Sequence, residues 1–268
     1  MSAEPNIIAE AEALLAELPA ISRPLIAQYF RSDLDVLQKA DDSPVTIADK
    51  SVEAALRAAI TQRFPNHSII GEEEGGQASQ SYCWVIDPID GTRAFIIGKP
   101  LFGTLIALSY QGMSICGLID MPALDETYIT RGGEAFSLSG GQEKKLATRQ
   151  TDSLANAHIA TTSPEAFTNR GWQIFQKLSA ACRSTHYGGD CYNYGLLAAG
   201  HLDLVVEDKL APHDIMALVP VMQAAGAVVT DWQGVPVRLD GDGSILAAGN
   251  ASLHAQALTY LGQIKQKP

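Results

Sequence analysis

The sequence predicts a mixed fold, α+β in the first half of the chain and α/β in the second half. Apolar residues recur at helical spacing near the start, closely spaced strands follow, and strands alternate with helices after about residue 157. With 268 residues, of which 46% are hydrophobic, the chain can bury a sizeable core as one large domain or two smaller ones.

Two helical regions are expected before the first strands. Near the N-terminal end the apolar residues follow the helical period, but Pro19 and Pro24 interrupt it, which favours a kink or two abutting helices. After a turn predicted at 41–44, a second helical region covers 46–63. Its core face would consist of Val52, Leu56, Ala59 and Ile60.

The middle of the chain is rich in β-forming residues and turn signals. The predicted strands cover residues 67–71, 82–86, 104–110, 113–119 and 126–130. Gln111-Gly112 separates two of them as the turn of a hairpin. From about 139 to 145 the composition changes to small and charged residues, so we place the boundary there, with 1–140 as the α+β half and 141–268 as the α/β half.

Strands and helices alternate in the second half. The predicted strands cover 158–161, 182–187, 202–207, 227–231 and 245–248, and the predicted helices cover 165–180, 190–199, 214–225 and 250–264. Gly200 and Gly226 would stop two of these helices, and Asn250 is the expected N-cap of the last one.

Composition excludes several classes of protein. The formal net charge of −11 is opposite to the basic surface that nucleic acids and anionic membranes require, so neither is an expected partner. No apolar run reaches the roughly 20 residues of a membrane span, and the acidic N-terminus is unlike a secretory signal. The four cysteines form no CxxC pair, so we expect reduced thiols in a cytoplasmic protein.

The densest functional signal is the segment WVIDPIDGT at 84–92, where a strand of buried character runs into two carboxylates. Pro88 fixes one backbone angle between Asp87 and Asp90, so both side chains can lie on one side of a tight turn. Paired carboxylates require a cation or a proton between them. With the Ile89 carbonyl as a further oxygen ligand, they suit Mg²⁺.

Gly91-Thr92 follows directly, where a chain that turns into a helix presents free N–H groups to an anion. A pair of metal ligands beside an anion-binding turn is what phosphoryl transfer requires. The chain contains neither a GxxxxGK(S/T) phosphate loop nor a GxSxG nucleophile elbow, which excludes two other enzyme classes. Taken alone, the segment is equally compatible with a structural surface turn.

Three further acidic positions are candidates, and each has a structural alternative. Glu72 lies in GEEEGG, one short strand before the paired carboxylates, but a triple Glu is also typical of a solvated loop. Asp49 is a candidate water-orienting base or a helix-capping partner of Thr46. Asp214 is a candidate metal ligand or helix cap, and His213 before it is more often a packed or exposed histidine than a ligand. Oxygen-rich surroundings favour Mg²⁺ over Zn²⁺.

The chain resembles the inositol monophosphatase superfamily of Mg²⁺-dependent, lithium-sensitive phosphatases over about residues 8–264. The matching motifs occur in the same order and are DSPVTIAD at 42–49, GEE at 71–73, WVIDPIDGT at 84–92 and His213-Asp214. The resemblance implies a two-part αβαβα layered sandwich and a phosphatase that uses metal-activated water.

The resemblance also implies metal-binding roles. Glu72, Asp87 and the Ile89 carbonyl would hold one Mg²⁺, while Asp87, Asp90 and Asp214 would hold a second. Glu72 would also contact a third, more weakly held ion, and we count it among the catalytic residues. The first half would therefore carry most metal ligands, and the second half would contribute Asp214 and substrate contacts.

The remaining implied roles concern water and phosphate. Thr92, with Asp49 behind it, would orient and deprotonate the attacking water, and the N–H groups of Gly91 and Thr92 would bind the phosphate. His213 is a departure, since an aromatic residue, often Trp, usually precedes the last Asp. This exchange puts the local packing and the substrate fit in question. Family members are usually dimers, so a homodimer is expected.

Two segments are similar to the histidinol-phosphatase branch of the superfamily, GKPLFGTLIAL at 98–108 and GDCYNYGL at 189–196. Arg93 begins an Arg-Ala-Phe segment where inositol phosphatases typically have Thr-Asn-Phe, and we take it as a substrate contact. The implied substrate is L-histidinol phosphate, a late intermediate of histidine biosynthesis. Its ammonium and imidazole groups could pair with Asp190 and Glu207.

Other functions remain open on the sequence. Asp190 could simply cap its helix. The substrate could be inositol 1-phosphate or a related sugar phosphate, and a non-catalytic metal- or ligand-binding scaffold protein is the alternative from another class. A 3′-phosphonucleotide is disfavoured because the chain shows no basic or aromatic cluster suited to a nucleotide.

Overall fold

The computed structural model describes residues 3–32, 36–38, 44–78 and 81–262 of the chain. Helices α1 (Pro5–Glu17) and α2 (Pro19–Tyr29) abut at Pro19. Proline is accepted in the first turn of a helix, where its missing N–H has no partner to lose. The prediction of two helices from the proline positions is therefore confirmed.

A short antiparallel strand pair precedes the third helix. Its strands are β1 (Val36–Gln38) and β2 (Pro44–Thr46), and most of the turn predicted at 41–44 lies outside the described residues. Helix α3 (Ile47–Arg63) agrees with the helix predicted over 46–63. Its predicted core face is confirmed, since Val52, Leu56 and Ile60 are fully buried and Ala59 is half-buried.

The first sheet has seven strands within the described residues, arranged in sequence order. They are β3 (Ser68–Gly71), β4 (Tyr82–Asp90), β5 (Gly103–Tyr110), β6 (Met113–Met121), β7 (Glu126–Arg131), β8 (Glu134–Ser139) and β9 (Gln142–Lys145). The first two strands run parallel, and each later strand is antiparallel to the one before it. Gln111 and Gly112 adopt positive φ between β5 and β6, which confirms the predicted hairpin.

The sequence analysis does not predict strands β8 and β9. β9 has the sequence QEKK and is exposed along its whole length, so it lacks the apolar alternation that identifies a half-buried strand. It is recognised only through its pairing with β8. The boundary predicted between residues 140 and 141 falls within this hairpin, and the first sheet continues to Lys145.

The second sheet alternates with helices, as predicted, and its strand order is β11–β10–β12–β14–β13. The elements of this half are β10 (His158–Thr161), α5 (Asn169–Ala180), β11 (Ser184–Tyr187), α6 (Tyr192–Ala198), β12 (Leu204–Glu207), α7 (Pro212–Ile215), α8 (Leu218–Ala224), β13 (Val228–Thr230), β14 (Ile245–Ala248) and α9 (Ala251–Leu261). The remaining helix, the short α4 (Thr92–Ile96), belongs to the first half. β10 is parallel to β11 and β12, whereas β14 is antiparallel to β12 and β13.

Three of the four predicted helices of this half differ in their bounds. The helix expected over 190–199 is α6, which covers Tyr192–Ala198. The helix expected over 165–180 starts at Asn169, after a separate 3₁₀ turn. The last helix is capped by the Asn250 side chain, which accepts the N–H of Leu253 at 2.9 Å, and its predicted end at 264 lies outside the described residues.

The helix predicted over 214–225 is instead two helices, α7 and α8. Pro220 has no N–H to donate to the carbonyl of Met216. The hydroxyl of Ser114 in β6 donates to this carbonyl at 2.6 Å instead. The break between α7 and α8 is therefore stabilised by a neighbouring strand, which sequence periodicity cannot reveal.

The buried side chains divide the structure into five layers. Helices α1, α2 and α3 pack on one face of the first sheet, and α6, α7 and α8 lie between its other face and the second sheet. Helices α5 and α9 cover the outer face of the second sheet. This arrangement confirms the αβαβα layered sandwich. Within the described residues, no helix is both long enough and apolar enough to cross a membrane.

Candidate metal and phosphate site

The paired carboxylates lie where β4 leaves its regular pairing with β5. The register between the two strands shifts between Asp87 and Asp90, as in a β-bulge. The carbonyl of Pro88 accepts the Thr104 hydroxyl at 2.8 Å, which holds the irregular segment against β5. Gly91 then adopts the left-handed conformation with φ 80°, and this turns the chain into α4.

Two overlapping groups of ligand atoms surround Asp87. Carboxylate oxygens of Asp87, Asp90 and Asp214 lie within 4.8 Å of one another. Atoms of Glu72, Asp87 and His213 lie within the same distance of one another. The structure therefore brings together every predicted carboxylate ligand, with Asp214 supplied by α7 of the second half.

Backbone N–H groups orient two of these carboxylates. Asp90 Oδ2 accepts the N–H of Cys191 at 2.8 Å, a contact that joins the two halves. Asp214 Oδ2 accepts the N–H of Ala211 at 2.7 Å at the start of α7. Each carboxylate keeps its other oxygen for a further interaction.

The electrostatics of this cluster call for a cation. Burial, reinforced by the charges of Glu72, Asp90 and Asp214, raises the pKa of Asp87 well above its usual range. Burial and the charge of Asp190 raise the pKa of Asp90 in the same way, and burial raises that of Asp214. Within the described residues, the buried Oδ1 atom of Asp87 has no hydrogen-bond partner. Clustered carboxylate oxygens of this kind suit a hard divalent cation such as Mg²⁺, so the residues fit the implied metal.

The loop that carries Glu72 is anchored by Glu53, a residue that the sequence analysis does not single out. Glu53 is fully buried, and its oxygens accept the N–H of Glu73 at 2.7 Å and of Glu74 at 3.1 Å. Arg57 donates to Glu53 at 2.7 Å and to the carbonyl of Gly75 at 2.5 Å. The buried carboxylate of Glu53 therefore fixes the backbone of the loop that carries Glu72.

Two features could have identified Glu53. It lies on the apolar core face of α3 between Val52 and Leu56, where a carboxylate requires partners. Close approach also explains Gly71, because a Cβ atom there would lie 2.0 Å from Oε1 of Glu53. A carboxylate at a core position of a helix, together with an acidic loop bounded by glycines, is a pattern that can be recognised in the sequence.

Asp49 and Thr92 occupy the remaining edges of the cluster. Asp49 is 1% exposed in the first turn of α3, and its charge contributes to the raised pKa of Asp87. The Thr92 hydroxyl donates to the carbonyl of Ile89 at 3.0 Å, so this carbonyl faces the same turn. The alternative of a capping pair with Thr46 concerns a side chain outside the described residues.

A cleft of about 500 Å³ opens beside Asp90 and Asp214. All three predicted substrate contacts, Arg93, Asp190 and Glu207, line it. The cleft therefore reaches from the carboxylate cluster to the residues that were predicted to recognise the substrate.

Asp190 does not cap α6. The N-cap residue is Cys191, and no side chain caps the helix, so that alternative is wrong. Asp190 instead adopts the left-handed conformation with φ 44° at the cleft wall. Burial and the charge of Glu207 raise its pKa to about 6, against the opposing charges of Lys99 and Arg93.

Glu207 forms the floor of the cleft and is 3% exposed. Its oxygens accept the N–H of Thr162 at 2.6 Å and the hydroxyl of Tyr194 at 2.7 Å. Burial raises its pKa. Glu207 thus orients two cleft residues in addition to presenting negative charge to the cleft.

The five-layer fold, with a carboxylate cluster where its halves meet beside a cleft, defines a class of enzymes that act on small molecules at bound cations. The chain belongs to the inositol monophosphatase family, whose family model matches residues 9–266. It is therefore a phosphatase of this family, whose enzymes depend on metal ions.

Individual relatives cover most of the chain. It is 43% identical to the chloroplastic bifunctional phosphatase IMPL2 of Arabidopsis thaliana over 90% of this chain and 71% of that protein. It is 33% identical to a histidinol-phosphatase of Chlorobaculum parvum over 89% of this chain and 92% of that protein. The structure of an inositol monophosphatase from Zymomonas mobilis superposes with a TM-score of 0.84 at 40% identity, over 97% of this chain and 99% of that chain.

Proposed function

We propose that the protein hydrolyses L-histidinol phosphate to L-histidinol and phosphate with Mg²⁺. The observation that carries this proposal is the acidic wall of the cleft, where Asp190 and Glu207 face the space next to Asp90 and Asp214. A substrate that carries an ammonium group and a titratable imidazole supplies charges opposite to those of this wall. Similarity to the Chlorobaculum histidinol-phosphatase supports the same substrate.

The carboxylate cluster would hold two Mg²⁺ ions, with a third bound more weakly at Glu72. Glu72, Asp87 and the Ile89 carbonyl would form one site, and Asp87, Asp90 and Asp214 the other. Bound cations of this kind lower the pKa of a water molecule and neutralise charge on a phosphate. Asp87 belongs to both sites, which agrees with its burial and its unpaired Oδ1 atom in the described part of the chain.

The side chains and backbone of the chain would do the rest of the chemistry. The Thr92 hydroxyl would orient the attacking water, and Asp49 behind it would receive the proton. The N–H groups of Gly91 and Thr92, where the chain turns into α4, would bind phosphate oxygens. Arg93 at the cleft wall would contact the substrate and neutralise part of its negative charge.

A second candidate substrate is inositol 1-phosphate or a related sugar phosphate. Similarity to the Zymomonas inositol monophosphatase favours it, since that likeness covers nearly all of both chains. A polyol phosphate would use Asp190 and Glu207 as acceptors for hydroxyl donors instead of as counter-charges. A non-catalytic scaffold protein is the third candidate, and the complete carboxylate cluster argues against it, because a scaffold alone does not require it.

The deciding experiment is phosphate release with Mg²⁺ from L-histidinol phosphate and inositol 1-phosphate at matched concentrations. We expect a preference of about a hundredfold in kcat/KM for L-histidinol phosphate, which corresponds to about 2.7 kcal/mol of discrimination. Equal or greater turnover of inositol 1-phosphate would overturn the substrate assignment. No Mg²⁺-dependent release from either compound would favour the scaffold.

We also propose a homodimer in the cytoplasm. The four cysteines, all within the described residues, form no disulfide bond with one another, in agreement with a reducing compartment. Light scattering of the purified protein tests the dimer, and a monomer mass at micromolar concentration would contradict it.

A further inference from the structure

His213 directs a nitrogen atom into the carboxylate cluster. One nitrogen of its imidazole lies within 4.8 Å of a carboxylate oxygen of Glu72 and of Asp87. The other cluster, formed by Asp87, Asp90 and Asp214, offers oxygen atoms only. The two groups share Asp87 and differ in the chemical type of their third ligand.

The imidazole is carried by the short helix α7. His213 is the second residue of α7, after Pro212, and its side chain is 22% exposed. Its Nε2 atom lies 3.7 Å from Asp214 Oδ1, longer than a hydrogen bond. The partial burial and the short helix hold the ring beside the cluster.

A second observation points to a ligand at this place. Asp87 is 2% exposed, and its Oδ1 atom has no hydrogen-bond partner among the described residues. A buried carboxylate oxygen without a donor is costly unless a cation binds to it. A carboxylate oxygen of Asp87 lies within 4.8 Å of a ring nitrogen of His213, so both atoms could bind the same cation.

We propose that His213 adds an imidazole nitrogen to the cation site of Glu72 and Asp87, so that this site also accepts a borderline divalent cation such as Co²⁺ and binds it more tightly than its oxygen ligands alone would. Imidazole nitrogen suits transition metals, whereas Mg²⁺ prefers oxygen ligands in octahedral geometry. The all-oxygen group of Asp87, Asp90 and Asp214 lacks this added nitrogen ligand. The proposal rests on the cation cluster of the proposed function and is independent of the identity of the substrate.

The first test detects nitrogen at the bound metal. Tag-free protein is loaded with Mn²⁺ and studied by pulsed electron paramagnetic resonance, without substrate and without any assay of activity. We expect nitrogen coupling from a histidine, and isotopic labelling of histidine with ¹⁵N should change it in the wild-type protein. His213→Phe should remove the coupling, and His201→Phe, at an exposed histidine outside the cluster, should retain it.

The second test compares affinities by calorimetric titration. His213→Phe should weaken Co²⁺ binding by about tenfold or more, since removal of even an outer contact to a ligand costs about 10–100-fold. Its effect on Mg²⁺ should stay below about twofold, because the oxygen ligands are unchanged. Circular dichroism checks that the variant is folded, and the ¹⁵N experiment needs no variant.

The outcomes separate this inference from the proposed function. Mn²⁺ that binds without nitrogen coupling, or Co²⁺ that binds with equal affinity in His213→Phe, overturns the role of His213 and leaves the carboxylate site intact. Failure of Mg²⁺ and Mn²⁺ to bind the wild-type protein would overturn the cation cluster itself, and the mixed site with it.

Discussion

The metal ligands of the two halves are held by different kinds of structure. Asp87 lies on β4, which is paired on both sides, and Glu72 follows the neighbouring parallel strand β3. Asp214 lies on the four-residue helix α7, and its neighbour at the cleft, Asp190, precedes α6 in a left-handed turn. The first sheet therefore builds most of the cluster within one framework, and the second half completes it only when the layers pack.

This difference separates the rigidly held cation ligands from the residues proposed to recognise the substrate. The ligands of the first half are buried or anchored by buried groups, as Glu53 anchors the loop of Glu72. The second-half residues Asp190 and Glu207 line the cleft, where the proposed substrate would bind. A change in the first region should affect the cations, and a change at the cleft should affect the substrate.

The largest effect is expected for Asp90→Asn, where the two regions meet. The change removes a negative charge from the cation cluster while the amide keeps an oxygen for the N–H of Cys191. Mg²⁺-dependent turnover should fall by about 10³-fold with an unchanged circular dichroism spectrum. Asp240→Asn, at an exposed carboxylate, serves as the matched control and should leave turnover unchanged. Activity near wild type in Asp90→Asn would contradict the assignment of Asp90 as a ligand.

The next largest effect is expected for Glu53→Gln in the first region. One amide oxygen cannot accept all the donors that the carboxylate accepts, so the loop of Glu72 should lose its fixed position. The Mg²⁺ concentration for half-maximal activity should rise by about 10–100-fold, while kcat at saturating Mg²⁺ stays near wild type.

A matched variant separates this positioning role from a loss of stability. Glu12→Gln also alters a buried carboxylate, one that accepts the N–H of Gly132 at 2.8 Å between β7 and β8, several strands away from the loop of Glu72. It should leave the Mg²⁺ requirement unchanged. Equal changes in both variants would show that Glu53 supports only the fold.

A smaller and more selective effect is expected for Asp190→Asn in the second region. Loss of this charge should lower kcat/KM for L-histidinol phosphate by about tenfold, the scale of one lost charge-assisted contact. Hydrolysis of p-nitrophenyl phosphate, which lacks a cationic group, should change by less than about twofold. Equal losses on both substrates would mean that Asp190 does not read the charge of the substrate.

The smallest effect concerns stability and pH. Folding raises the pKa of Asp190 from its usual value of 3.8 to about 6, so the folded state disfavours its ionised form. This penalty is absent below pH 3.8, grows between pH 3.8 and about 6, and is complete above about 6. Asparagine also tolerates the left-handed conformation at this position.

Asp190→Asn should therefore raise the Tm of the metal-free protein by about 2–4 °C at pH 8 and leave it unchanged at pH 3.5. Differential scanning fluorimetry with a chelator measures this difference. A lower Tm at pH 8 would show that Asp190 stabilises the fold instead of serving the cleft.

Much of the fold follows from local sequence patterns. The prolines at the start predict two helices, Gln111-Gly112 predicts a hairpin, and strand and helix alternation predicts the second sheet. The exposed strand β9 lacks such a pattern, because an edge strand that buries nothing is defined only by its hydrogen bonds to β8. The Met216 carbonyl, which Pro220 cannot satisfy, accepts the hydroxyl of Ser114, a residue far away in the sequence.

Some residues of the candidate site can also be predicted from local sequence, and others cannot. Asp87 and Asp90 are readable because they follow a buried strand within one short segment, and the motif order predicts the family. The core position of Glu53 can be recognised from the sequence, but its partners cannot, and neither can the direction of the His213 ring, because these contacts involve other elements. Residues consecutive in sequence determine turns, periodicity and which carboxylates are available. Only the packed layers decide which of them converge, since a cation cluster requires side chains from both halves within a few ångströms of one another.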